Sequence, residues 1–191
     1  MLDGTRELID RCTFSYTRQN EMLGLGHAIL VGETLIGNEP FAVLLADDYC
    51  LTEGDSVLAQ MTALYAQYRC CIVAIEEVPL DQVSNYGVIA GIEEKPGLYR
   101  VSNMVEKPEP EAAPSNLAII GRYLLTPEIF EVLRNTAPGR NGEVQLTDAL
   151  QTLATRGEVL ACRFDGKRFD CGSVDGYIEA TNALYQRSKN Q

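Results

Sequence analysis

Apolar residues along this chain follow two rhythms, one of continuous or alternating short runs and one of helical spacing. Residues 41–46 (FAVLLA) form a continuous apolar run that stops at Asp47-Asp48. That is the pattern of a buried strand whose end reaches a polar crevice. Asp55-Ser56 supplies an N-cap, after which Val57, Leu58, Met61, Leu64, Tyr65 and Tyr68 recur at helical spacing, and 71–78 is the next apolar strand. Strand, helix and strand in this order predict a βαβ unit with a right-handed crossover. Further strands are expected at 86–92, 98–105 and 117–125, punctuated by Pro96-Gly97 and the proline-rich 108–114. Thr126-Pro127-Glu128 opens a helix, with Thr as the cap, Pro in the first turn and Glu at the positive end of the dipole. Ile129, Val132 and Leu133 supply its apolar face. Another helix is expected around 143–155, a strand at 159–164, and a last helix at 173–187 with Val174, Tyr177, Ile178, Leu184 and Tyr185 on one face. Residues 1–11 read as the end of a helix that begins without a cap or a preceding strand. The class this predicts is mixed α/β, with a mostly parallel sheet and flanking helices.

The 191 residues carry 16 Lys and Arg against 27 Asp and Glu, a net charge of −11, and are 46% hydrophobic. That length suits one ordinary domain with a real core, and the apolar fraction argues against intrinsic disorder. The acidic balance argues against a broad electrostatic grip on nucleic acid or on an anionic membrane. An anionic small molecule then requires locally placed cations or a recruited metal. Six cysteines, at 12, 50, 70, 71, 162 and 171, form no CxxC, and His27 is the one histidine. The close ligand pairs of a structural zinc site are therefore missing, and a histidine-dependent triad has only His27 to draw on. Adjacent Cys70 and Cys71 point to opposite faces of a strand and read as core residues. With no signal peptide and no long apolar run, a reduced, cytoplasmic setting is expected.

Three constellations carry candidate chemistry. Asp47 ends the first strong strand and Asp170 follows the short run 166–169. Ligands of open α/β sheets settle outside the carboxyl ends of strands, and two such carboxylates suit a Mg²⁺ whose shell is completed by phosphate oxygens and water. The alternative for either Asp alone is a turn or cap residue. In Val105-Glu106-Lys107-Pro108, the proline restricts Lys107 to an extended conformation, so Glu106 and Lys107 should project to opposite sides of the backbone. Lys107 suits a phosphate and Glu106 suits sugar hydroxyls, against the alternative of an ordinary solvated strand end. Gln19, followed by Gly24-Leu25-Gly26-His27, offers an amide that matches a pyrimidine edge and glycines that admit close approach before a helix. A plain loop-to-helix junction is the competing reading. Tyr86-Gly87-Val88 likewise reads equally as a glycine entering a strand.

In order, RQNEMLGLGHA (18–28), LLADD (44–48), NYGVI (85–89), MVEKP (104–108), APSNLAIIGRYLLTPEIF (113–130), GEVQLTDAL (142–150) and FDCGSVDGY (169–177) resemble the bacterial UTP–glucose-1-phosphate uridylyltransferases. These enzymes are sugar-nucleotide pyrophosphorylases with a glycosyltransferase-A-like, Rossmann-like nucleotidyltransferase fold. The resemblance runs from about Arg18 to the C-terminus. It implies that Gln19 and Gly24 hold the uracil, that Asp47 and Asp170 ligate Mg²⁺, and that Gly87 and Glu106 contact the glucose hydroxyls. It also implies that Lys107 lies beside the sugar phosphate. The implied reaction joins UTP and glucose-1-phosphate into UDP-glucose with release of pyrophosphate, catalysed mainly by positioning and charge stabilisation.

The family opens with a GxGTRxxPxTK loop for the triphosphate, whereas Gly4-Thr5-Arg6 here lacks the preceding glycine and the following Pro and Lys. Residues 1–191 are thus expected to be an N-terminally truncated, partial nucleotidyltransferase domain, weakly active or inactive on its own. The alternative expectation is a non-catalytic UDP-glucose-binding or regulatory module. An open sheet edge left by missing strands predicts a homo-oligomer.

Overall fold

The computed structural model describes residues 6, 7, 9–139 and 142–189. Most of the expected headless helix at 1–11 lies outside the described residues. The chain then builds α1 (Gly24–Ile36), β1 (Phe41–Leu44), β2 (Asp48–Leu51), α2 (Val57–Tyr68), β3 (Cys71–Glu77), β4 (Gly87–Lys95), β5 (Leu98–Glu106), β6 (Leu117–Leu125), α3 (Glu128–Asn135), α4 (Leu146–Ala154), β7 (Val159–Arg163), β8 (Lys167–Asp170) and α5 (Val174–Lys189). A 3₁₀ turn at Leu80–Asn85 leads into β4.

Six strands form one sheet in the order β1-β6-β3-β7-β5-β4, and β2 pairs with β8 in a separate two-stranded ribbon. The mixed α/β class holds, but the expected parallel majority does not. Among the described residues β3–β7 is the one parallel pairing, with Cys71 opposite Val159. The reason is β6, which inserts between β1 and β3 and runs antiparallel to both. The predicted strand–helix–strand unit therefore spans a strand rather than joining neighbours. Beyond it, β4 and β5 are a hairpin turned at Pro96-Gly97, where Gly97 takes φ 74°. The root of this hairpin carries Gly87 opposite Glu106.

Two apolar layers enclose the sheet. Cys71, Val73 and Ile75 of β3 face α1, α3 and α4 through Ile29, Ile129, Leu133, Leu150 and Leu153. Ile72 and Ala74 face the other way, onto Val57 and Met61 of α2. This is the period of two that a strand imposes, and it puts Cys70 and Cys71 in opposite layers as expected. Burial pushes the Cys71 thiol up to about 11 and the Cys162 thiol up to about 12, so both behave as small core side chains.

Local chemistry explains the element ends. Ser56 caps α2 by accepting from the Ala59 amide at 3.2 Å. Thr126 does not cap α3 with its side chain; its hydroxyl instead lies 3.5 Å from the Cys71 sulfur. The last helix departs most from expectation. Only Ala180 of α5 is buried, and Val174, Tyr177 and Ile178 are exposed at 76%, 63% and 52%. Its apolar stripe covers none of the core, because α5 leaves the sheet along β8 rather than lying across a sheet face.

Candidate active site

The end of β1, the middle of β6 and the β2–β8 ribbon meet at one place, and a buried carboxylate joins them. Asp48 begins β2 and is 6% exposed. Its Oδ2 accepts from the Gly121 amide of β6 at 2.5 Å, and its Oδ1 accepts from Arg168 Nε. The backbone is tied by the same group of residues. Arg122 donates to the carbonyls of Leu45 at 3.1 Å and Asp48 at 2.5 Å, and the Leu45 amide donates to Gly121 O at 2.9 Å. A side chain at 121 has no room, since a Cβ there would stand 2.5 Å from Asp48 Oδ2 and 2.6 Å from Leu45 Cβ.

This joint brings the two candidate metal ligands together from opposite ends of the chain. Register places Asp48 opposite Asp170, and the Cys171 amide donates to Asp47 O at 2.7 Å. The carboxylates then converge over Gly172, where a Cβ would lie 3.1 Å from Asp170 Oδ1 and 3.4 Å from Asp47 Oδ2. The Gly172 amide donates to Asp170 Oδ1 at 3.1 Å, which aims that oxygen. An all-oxygen pair of this kind suits a hard divalent cation. No cluster of three or more His, Cys, Asp or Glu that could hold a metal occurs among the described residues.

A cavity of about 360 Å³ is lined by Asp47, Asp170, Gly87, Glu106 and Lys107 together. Gly87 is the first residue of β4, and a Cβ there would approach Thr147 Oγ1 at 2.9 Å and Glu106 Oε2 at 3.2 Å. The Thr147 hydroxyl, at the start of α4, donates to Glu106 Oε2 at 2.6 Å, leaving Oε1 for another donor. Lys107 corrects an expectation. Its φ is 47°, in the left-handed region, not extended. The Lys107 amide donates to Tyr86 O at 2.9 Å, and that bond closes a bend which overrides the extended preference before a proline. Glu106 and Lys107 consequently line the same cavity, and both also line an adjoining one of about 580 Å³ with Gln145 and Asp148. A separate cavity of about 430 Å³ near Glu128 and Arg156 contains none of the candidate residues.

Gln19 and Gly24 sit apart from these five, at the approach to α1, although Leu25 beside them reaches the cavity. Gln19 Nε2 donates to Gly24 O at 3.1 Å and lies 2.9 Å from His27 Nδ1. The carbonyl can only accept, so the amide nitrogen faces inward and His27 accepts at Nδ1. The glycines have an explanation within the chain. A Cβ at Gly24 (φ 90°) would meet Glu143 Cβ and Val144 O at 2.9 Å, and one at Gly26 would meet Leu133 Cδ2 and Val144 O at 2.7 Å.

Four residues outside the predicted set shape this site: Asp48, Arg122, Thr147 and Arg168. Arg168 was legible in principle, because residues two apart in a strand share a face and Arg168 precedes Asp170 by two. It is 9% exposed. Burial works against its charge, but the Tyr86 hydroxyl and Asp48 outweigh that and hold it above the ordinary arginine range. Burial also pushes the nearby Glu76 carboxyl up, with Arg168 opposing.

The nucleotidyl transferase family profile matches residues 4–187. The chain is 64% identical over 186 residues to a UTP–glucose-1-phosphate uridylyltransferase of Pseudomonas aeruginosa, covering 97% of this chain and 67% of that protein. It is 46% identical over 182 residues to the Streptococcus pneumoniae enzyme of the same name, covering 92% and 61%. A crystal structure of a UDP-glucose pyrophosphorylase complexed with UDP-glucose superposes with a TM-score of 0.94 at 61% identity, covering 97% of this chain and 71% of that one. The chain thus spans about two thirds of the length of these relatives. With a profile match over nearly the whole chain and relatives this close, the chain belongs to the nucleotidyl transferase family.

Proposed function

We propose that this chain carries the sugar- and metal-binding side of a uridylyltransferase that makes UDP-glucose and pyrophosphate from UTP and glucose-1-phosphate. The observation that supports this most is the convergence of Asp47 and Asp170 over Gly172, in one cavity with Glu106 and Lys107. The names of the relatives support it independently. In the reaction, a phosphate oxygen of glucose-1-phosphate bonds to the α-phosphorus of UTP as the bond to the departing pyrophosphate breaks. Glu106 Oε1 accepts from sugar hydroxyls, Gly87 leaves room for the ring, and Lys107 neutralises the sugar phosphate. Gln19 and the Gly24 backbone take the uracil, with the Gln19 oxygen accepting from its N3–H. Asp47 and Asp170 hold Mg²⁺, which supplies charge stabilisation for the phosphates when bound. Positioning accounts for most of the chemistry asked of the protein.

No described helix is long and apolar enough to cross a membrane, and all six cysteines are free, which supports a cytoplasmic location. We also propose that the chain forms a homo-oligomer. Val174, Tyr177 and Ile178 are exposed on α5, and among the described residues β1 pairs with β6 alone.

Calorimetric titration of the chain with UDP-glucose tests the function. Affinity should rise with Mg²⁺ for the parent, and Asp47→Asn and Asp170→Asn should each remove that rise; a Mg²⁺ effect equal in variants and parent contradicts the ligand assignment. Thr147→Val should weaken UDP-glucose binding about tenfold through loss of a charge-assisted hydrogen bond, with Thr147→Ser restoring it. Unchanged binding in Thr147→Val would remove Glu106 from the sugar site. Light scattering should give a mass above one chain, falling towards it in Ile178→Asp, whereas a parent monomer at all concentrations refutes the oligomer.

A further inference from the structure

Arg168 is the most heavily engaged side chain near the cavity, and the roles above leave it unused. Its Nε meets Asp48 Oδ1. One terminal nitrogen donates to Glu76 Oε1 at 3.0 Å and Tyr86 OH at 3.2 Å, and the other lies 3.3 Å from Asp170 Oδ2. Nε and one terminal nitrogen are thus hydrogen-bonded within the protein, and the other terminal nitrogen is ion-paired with Asp170. Asp48 is itself fixed, since its other oxygen accepts from the Gly121 amide at 2.5 Å. Hydrogen bonds run from β6 through Asp48 to Arg168, and an ion pair continues from Arg168 to Asp170.

The far end of that line is what matters. Asp170 is held at two points, Oδ2 by Arg168 and Oδ1 by the Gly172 amide at 3.1 Å. The hydrogen bond at Oδ1 and the ion pair at Oδ2 together bias the rotamer of the carboxylate, and Oδ1 is the oxygen that lies with Asp47 Oδ2 over Gly172. Asp170 has a side chain 44% exposed, so without these anchors it has rotamers to lose. We propose that Arg168 is a positioning residue that orients the Asp170 carboxylate for the divalent cation. This rests on the metal assignment to Asp47 and Asp170 made above. Partners of this kind, one step removed from the ion, tune affinity by fixing the ligands that touch it.

Simple electrostatics predicts the opposite sign. A cation 3.3 Å from Asp170 repels a bound metal, so removing its charge should tighten metal binding. Arg168→Lys separates the two accounts most cleanly. Lysine keeps the charge and can neutralise Asp48, but a single ammonium lacks the fork that reaches Asp48 and Asp170 together.

The experiment is titration of the full chain with Mn²⁺, reading free ion by electron paramagnetic resonance, with circular dichroism and thermal melting as folding controls. The parent is compared with Asp170→Asn, Arg168→Lys, Arg168→Gln and Tyr86→Phe. The proposal expects Arg168→Lys and Arg168→Gln to weaken Mn²⁺ binding about tenfold or more. Tyr86→Phe, which removes one hydroxyl that steadies the guanidinium, should give a smaller loss in the same direction. Arg168→Gln leaves the charge of buried Asp48 without its cation and risks the fold, so Arg168→Lys and Tyr86→Phe carry the test if it melts early. If Asp170→Asn weakens binding while folded Arg168 variants bind as tightly as the parent or tighter, the positioning role is overturned and the metal assignment stands. If Asp170→Asn binds Mn²⁺ like the parent, the metal assignment itself fails and the positioning role falls with it.

Discussion

A carboxylate at 6% exposure is costly to bury unless its charge is met, and the architecture around Asp48 is arranged to meet it. The Gly121 amide and the Arg168 guanidinium satisfy its two oxygens, and each partner comes from a different element. Because one partner lies on β6 and the other on β8, the same pair of bonds that makes Asp48 tolerable also docks the two-stranded ribbon onto the six-stranded sheet. The requirement reaches into the sequence. Position 121 must lack a side chain, position 168 must be long, cationic and forked, and both are far from residue 48 along the chain. Asp47 and Asp170 inherit their places from this joint, one as the neighbour of Asp48 and the other as its register partner.

The opposite wall of the cavity is set by a different economy of contacts. Gly87 and Glu106 face each other at the root of the β4–β5 hairpin, and Thr147 buttresses Glu106 from α4. Lys107 is turned into the same space by a left-handed backbone, a conformation that costs a non-glycine residue energy and persists because the amide bond to Tyr86 O holds it. Tyr86 then links the walls, since its carbonyl fixes Lys107 and its hydroxyl meets Arg168. The Arg168 and Lys107 sides of the cavity are thus coupled through one residue.

Much of this was legible from residue order, and the part that was not has physical reasons. Strands and helices with strong periodicity, such as β3 and α2, were found with nearly their true bounds, because half-burial writes a period into the sequence. Asp47 and Asp170 were legible as strand-end carboxylates. The strand directions were not, because the long antiparallel β6 between β1 and β3 is a fact of pairing, which alternation alone does not encode. Pro108 suggested an extended Lys107, but a tertiary hydrogen bond decided otherwise. Val174, Tyr177 and Ile178 carry the spacing of a buried stripe, yet α5 runs along the ribbon and leaves them exposed. The packing of Gly24 and Gly26 against Val144 also comes from a distant segment, which residue order does not show. Each miss concerns which distant segment arrives at a residue, not what the residue prefers locally.

The proposed cation site of Asp47 and Asp170 shares one cavity with Glu106 and Lys107. Anomalous diffraction from a crystal of the chain grown with Mn²⁺ and UDP-glucose addresses it most directly. The account predicts a single strong peak over Gly172, within bonding distance of Asp47 and Asp170 and touching a phosphate oxygen of a ligand whose sugar lies against Glu106. A peak held by Asp48 or Glu76 instead, or a ligand bound with Asp47 and Asp170 free of metal, would contradict it.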